Sequence, residues 1–116
     1  PTGEPTGEPT ETPGPGDGGC TATYQAGDSW PGGFQAGVTV ENTGDAAITG
    51  WTVTWAWPGD QQITTLWGGT HTQTGQDVTV TNASYNGALT AGATTTFGFN
   101  ATGPTTPPTT LTCAPS

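Results

Sequence analysis

Trp30, Trp67 and Tyr85 stand in the settings DSWPGG, TTLWGGT and NASYNGAL, three flat rings in polar, glycine-rich surroundings. None has the apolar i±2 neighbours on both sides that mark a core strand. Burying an aromatic side chain removes roughly 150 to 250 Å² from water, worth on the order of several kcal/mol, so a group of rings left in solvent marks a partner. The chemistry open to such rings is stacking. The C–H face of a pyranose is a matching partner, being flat, weakly positive at its hydrogens and neutral overall. Its hydroxyl groups also call for hydrogen bonds, and polar side chains are at hand: where Phe97 and Phe99 point inward, Thr96 and Asn100 point outward on the same sheet.

Much other chemistry is excluded. The 116 residues include no lysine or arginine against nine acidic residues and one histidine, a formal charge of -9. Without cations no phosphate backbone is neutralised, which rules against nucleic acid, and anionic membranes and acidic polysaccharides are disfavoured for the same reason. Beyond the first nineteen residues the acids are Asp28, Glu41, Asp45, Asp60 and Asp77. They lie mostly in turns or at strand edges and suggest no facing pair of the kind a glycosidase uses. His71 is the only histidine, so a two-histidine copper or zinc site cannot be built, and it reads as a polar strand or hairpin residue. No serine or cysteine sits in a recognisable nucleophile motif. The chain is expected to be no enzyme and to carry no metal or cofactor. Asn82-Ala83-Ser84 and Asn100-Ala101-Thr102 match the N-glycosylation acceptor pattern, which means nothing in a bacterial protein, the source to which the Gly/Thr-rich, cation-free composition points.

The elements that must position the rings begin after a linker. Residues 1–19, PTGEPTGEPTETPGPGDGG, contain two PTGE repeats and almost nothing apolar, so they are expected to be disordered. Residues 20–116 form the candidate domain. Cys20 and Cys113 bracket it, and two cysteines at the ends of a Thr/Gly-rich domain behind a Pro-rich linker predict an extracellular disulfide. No stretch is long and apolar enough to cross a bilayer. No signal peptide is present either, which predicts a fragment of a larger secreted chain.

Helix signals are nearly absent, and alternation of period two recurs. Phe34, Ala36, Val38 and Val40 share one face; so do Trp51, Val53 and Trp55, then Val78 and Val80, then Phe97 and Phe99. Turn signals fall between these runs at Pro31-Gly32-Gly33, Asn42-Thr43-Gly44-Asp45, Pro58-Gly59-Asp60, Gly68-Gly69, Thr74-Gly75 and Asn86-Gly87. Together they predict an all-β, antiparallel β-sandwich. Trp57 keeps the parity of its strand but abuts Pro58-Gly59, which leaves it between core and rim. In Gln62 to Trp67, Ile63 and Leu66 have opposite parity, consistent with either a bulge or a strand buried on both faces.

The ordered series Cys20, DSWPGGF, VTVENTG, GWTVTWAW, TLWGG, VTVTNASYNGAL, FGFN and Cys113 resembles the family 2 carbohydrate-binding modules of type a, which attach to cellulose. The resemblance covers Cys20 to Cys113. It implies a jelly-roll or immunoglobulin-like sandwich of about nine strands, a disulfide joining its ends, and a flat face bearing three aromatics. Position by position, that platform falls on Trp30, Trp67 and Tyr85, the last usually tryptophan in cellulose binders. The polar helpers fall on Asn100, which is retained, and on Gly37, Thr65 and Thr96, which stand where larger amides are familiar. The xylan-binding branch tends to carry arginine at the position of Gly33, turning the ring of Trp30 across the face; glycine leaves that ring free to lie flat.

Taken together, these features predict a monomeric, secreted, non-catalytic module. It would adsorb to crystalline cellulose and secondarily to chitin, and be tethered to a glycoside hydrolase or copper-dependent oxidative domain on its N-terminal side. The rival readings are a xylan or chitin binder and an immunoglobulin-like structural or adhesion domain.

Overall fold

The structure, a computed structural model, describes residues 19–108 and 110–115; the linker expected over 1–19 lies outside these save for Gly19. Eight strands follow in order: β1 (Cys20–Trp30), β2 (Gly33–Asn42), β3 (Trp51–Ala56), β4 (Gln62–Trp67), β5 (Gly69–Thr74), β6 (Asp77–Asn82), β7 (Thr94–Thr102) and β8 (Thr112–Pro115). They form two antiparallel four-stranded sheets, β1-β2-β7-β4 and β5-β6-β3-β8. The described residues include no helix.

The strand count is eight rather than the nine expected from the resemblance. Between β7 and β8 the chain is irregular and carries Pro104, Pro107 and Pro108, which lack the N–H a ladder needs. Between β2 and β3, only a single bridge joins Ile48 to Leu89.

The alternating residues meet between the sheets as the pattern predicts. Phe34, Val38, Val40, Phe97 and Phe99 from one sheet face Trp51, Val53, Trp55, Val78 and Val80 from the other. Trp51 stacks on Phe97 at 5.6 Å and 15°, and Trp55 stacks on the same ring at 6.3 Å and 10°. Trp57 belongs to this core: it is 2 % exposed, with edge contacts to Tyr24, Phe34 and Trp55. With no lysine or arginine, no side-chain ion pair can form from those residues; ring packing of this kind adds roughly 0.5 to 1.5 kcal/mol per pair beyond area burial.

Both open sides of the sandwich are closed. On one side Gly68, at φ 82°, turns the chain from the end of β4 into β5 in the opposite sheet. A Cβ there would come within 3.0 Å of the Thr96 carbonyl oxygen and Phe97 Cα. On the other side the Cys20–Cys113 disulfide ties edge strand β1 to edge strand β8 across 93 residues of sequence. Replacing both cysteines by serine is expected to cost about 4 to 5 kcal/mol of stability, the loop-closure value for a ring of this length, readable as a lower urea midpoint.

Tyr24 packs against Trp57 and Phe99 at 6.4 and 6.3 Å, and its hydroxyl has no hydrogen-bond partner among the described residues. Burial pushes its phenol from 10.0 to about 12. The folded state therefore holds the proton more tightly than the unfolded chain. Stability from this group is fully present below about pH 10 and is lost as pH rises toward about 12. Urea unfolding across this range should show stability falling in the parent and a shallower fall in Tyr24→Phe.

Candidate carbohydrate-binding face

In an unbroken strand both exposed tryptophans would point into the core. Ala22, Tyr24 and Ala26 of β1 pair with Val40, Val38 and Ala36, all inward-facing, and continued alternation would carry Trp30 inward too. Between Ala26 and Ser29, β1 advances three residues while β2 advances two, from Ala36 to Phe34. The extra residue flips the parity and sends Trp30 outward. The same device operates in β4. Ile63 pairs with Ala101, but Thr65 already pairs with Asn100, so Leu66 falls inward beside Phe99 and Trp67 outward beside Gly98. Of the two readings open for this segment, the bulge is the one observed.

Once outside, each indole lies across a glycine. A Cβ on Gly33 would stand 2.7 Å from Trp30 Nε1, and one on Gly98 would stand 2.6 Å from Cε2, Cζ2 and Nε1 of Trp67. No side chain fits beneath either ring, so each rests against backbone with its other face open. The exposures of 46 % for Trp30 and 45 % for Trp67 agree with rings covered on one side. Trp30 is further set by the Pro31-Gly32 turn, with Gly32 at φ 88°, in keeping with a type II turn that has proline first and glycine second.

Tyr85 is 77 % exposed and follows β6 in a loop between sheets. Asn86 anchors that loop. Its Nδ2 donates to the Gly68 carbonyl at 2.7 Å, its Oδ1 accepts from the Ala83 N–H at 2.8 Å, and its own carbonyl accepts from Trp51 Nε1 at 2.9 Å. Because Gly68 follows Trp67 directly, this bond fixes Tyr85's loop to the corner that carries Trp67. Asn82, the first of the two glycosylation-pattern asparagines, is engaged in the same structure: its Oδ1 accepts from the Trp51 N–H and its Nδ2 donates to the Ala83 carbonyl.

The polar residues fall on the same outer face. Thr65, Asn100 and Gln35 form one cross-strand row, Trp67, Gly98, Gly37 and Gln25 the next, and Thr96 and Thr39 the one after. Trp30 lies with Gly33, Thr102 and Gln62. Four steps along β7, from Gly98 to Thr102, separate the two tryptophan rows by roughly 13 Å at about 3.3 Å per residue. Thus Trp67, Asn100, Thr65 and Thr96 are brought together directly and Trp30 shares their face, while the loop that carries Tyr85 is tied through Asn86 to the Gly68 corner next to Trp67. Sequence reasoning passed over Gly98, Asn86, Gln25 and Gln35. The outward parity of Gly98 and Gln35 is visible in their alternating runs, but their cross-strand neighbours are not.

Residues 20–115 match the family described as the cellulose binding domain. The chain belongs to this family. Members are non-catalytic binding modules, so the immunoglobulin-like adhesion reading is set aside. Within the cellulose-binding domain family, the chain is 50 % identical over 97 residues to Endoglucanase A of Thermobispora bispora, an alignment covering 84 % of this chain and 21 % of that protein. It is also similar to the chitin-binding domain of Chi18aC from Streptomyces coelicolor, with 37 % identity and a TM-score of 0.70 over 81 % of this chain and 89 % of that one. For the cellulose-binding family 2 domain of ScLPMO10C the figures are 33 % and 0.65, over 85 % and 98 %.

The glycine bed beneath Trp67 can be tested. Gly98→Ala should lift the indole and lower adsorption to microcrystalline cellulose by roughly the worth of one stacked ring, five-fold or more. Far-ultraviolet circular dichroism should stay unchanged while the tryptophan emission shifts.

Proposed function

We propose that this domain adsorbs to crystalline cellulose by laying Trp30, Trp67 and Tyr85 on the C–H faces of glucan rings, with Asn100, Thr96 and Thr65 supplying hydrogen bonds to hydroxyl groups. The observation that carries this reading is the pair of indoles turned outward by bulges and bedded on Gly33 and Gly98. A flat bed suits a flat, extended polymer surface, and glycine at position 33 leaves no side chain to turn Trp30 across the face, which favours cellulose over xylan. The relatives in endoglucanases support the same ligand.

In the whole protein the module raises the local concentration of an attached polysaccharide-degrading domain on its substrate. The small share of Endoglucanase A that this chain spans supports such a tether, with residues 1–19 as linker and residues 20–116 as the module. The disulfide and the relatives support secretion. Among the described residues no helix is long and apolar enough to cross a membrane.

Three stacked rings at roughly 1 to 3 kcal/mol each, the scale for aromatic–base stacking, accord with about micromolar affinity, which requires about 8 kcal/mol net. Depletion isotherms on microcrystalline cellulose should show Trp67→Ala weakened roughly ten-fold or more. The parent should bind almost equally at low and high salt, because neither stacking nor neutral hydrogen bonds are screened. A Trp67→Ala chain that folds and adsorbs like the parent, or strong loss of parental binding in salt, would sink the reading.

A further inference from the structure

Trp30 stands at the end of the face where three segments of chain meet. Thr102, the last residue of β7, pairs with Gly33 on one side and with Gln62, the first residue of β4, on the other. Beyond it, Gly103 donates its N–H to the Gly32 carbonyl at 3.1 Å. This bond joins the turn that carries Trp30 to the segment following β7. Pro104, Pro107 and Pro108 deprive that segment of ladder donors, and among the described residues it joins no sheet until β8.

A side chain holds the segment where no strand does. Gln61 is fully buried, and its whole amide is engaged. Nε2 donates to the Pro104 and Thr106 carbonyls, both at 3.1 Å, and Oε1 accepts from the Gly59 N–H at 3.0 Å. Gln73 anchors this clamp from β5: its Nε2 donates to the Gln61 carbonyl at 2.8 Å, and its Oε1 accepts from the Ile63 N–H of β4 at 3.1 Å. Gly103, at φ 103°, lies against the clamp so closely that a Cβ would stand 3.2 Å from Gln61 Cα. A run of contacts therefore leads from both sheets through Gln61 and Gly103 to Gly32 and the Trp30 turn.

We infer that Gln61 is a positioning residue for Trp30, acting through the segment that begins at Gly103. The inference rests on the stacking platform proposed above and extends it to a buried side chain that touches no ligand. Trp30 lies past a bulge on an edge strand, with β2 as its one strand neighbour. Its glycine bed supports the ring, and the Gly32 carbonyl is the point at which the rest of the molecule grips its turn. An apolar side chain of Gln61's length would fill the same space. Only an amide can accept from Gly59 and donate to two carbonyls at once, and a satisfied buried amide ties its partners to one arrangement.

The test uses the 116-residue chain. Gln61→Met keeps the side chain's length and frees the two carbonyls. Gly103→Ala disturbs the same junction from the other side, through its positive φ and its contact with Gln61, and decides the matter alone if Gln61→Met does not fold. Val53→Ala, buried between the sheets, controls for lost stability, and every variant is compared where urea titration shows it folded. Without polysaccharide, the NMR signal of the Trp30 indole N–H should move in Gln61→Met and Gly103→Ala while that of Trp67 stays; in Val53→Ala both should stay. Depletion isotherms on microcrystalline cellulose should show the first two variants weakened roughly three- to ten-fold, part of the worth of one stacked ring, and Val53→Ala unchanged. That factor should persist beside Trp67→Ala and vanish beside Trp30→Ala. An unmoved Trp30 signal, an equal loss in Val53→Ala, or an undiminished factor beside Trp30→Ala would overturn the inference. A Trp30→Ala chain that adsorbs like the parent would count against the stacking reading instead, and the spectra taken without polysaccharide would still decide whether Gln61 sets the ring.

Discussion

Strict alternation is the constraint on which this structure depends. A β-strand has two faces, and a chain with no lysine or arginine has little besides apolar burial, backbone hydrogen bonds and one disulfide to hold those faces in place. Large aromatics on such strands belong inside, and Trp51, Trp55, Phe97 and Phe99 follow that rule. Trp30 and Trp67 would follow it too. One added residue in each of two edge strands reverses their direction, and the parity break that removes them from the core creates the outer surface. Edge strands tolerate this because only one neighbour must absorb the change in register.

The parts legible in the sequence are those that belong to a single strand or to a covalent bond. The inward sets on β2, β3, β6 and β7 can be read from period two, and the Cys20–Cys113 pairing from position and compartment. The exposure of Trp30, Trp67 and Tyr85 was legible from their polar settings. Bulges are properties of a pair of strands, and a single strand shows at most a fault in its pattern. The mismatch of Ile63 and Leu66 exposed one. Between Ala26 and Ser29 the residues Gly27 and Asp28 carry no apolar signal to go out of phase, so that bulge left no trace. Trp57 was ambiguous for a related reason: Pro58-Gly59 ends the strand, yet its ring still reaches Phe34, Tyr24 and Trp55 across the sandwich. The ninth strand was an implication of the resemblance alone, and the described residues form eight.

Glycines on the outer face have two opposite uses. Gly33 and Gly98 are covered, each by an indole that a methyl group would displace. Gly37, one strand away from Gly98, is bare. The loss of a side chain thus gives a bed where a ring is near enough to lie on it and a hollow where none is.

β7 joins these features to the core. Phe97 and Phe99 point down onto Trp51 and Trp55, while Thr96, Gly98 and Asn100 point up into the site. The strand is therefore one layer thick between packed core and binding face, and Trp67 rests on a backbone that stacked rings hold from below. This matters for a ligand that is itself a rigid surface. Ordering a mobile side chain on binding costs about 0.5 to 1.5 kcal/mol, comparable with what one stacked ring contributes, so rings free to rotate would gain little from contact with a solid. For Trp30 and Trp67 the core beneath β7, the turn at Gly32 and the glycine beds remove much of that cost during folding. The two indoles bedded on Gly33 and Gly98 thus have their orientation set during folding, and under the proposed stacking their contact energy would not be spent on ordering them.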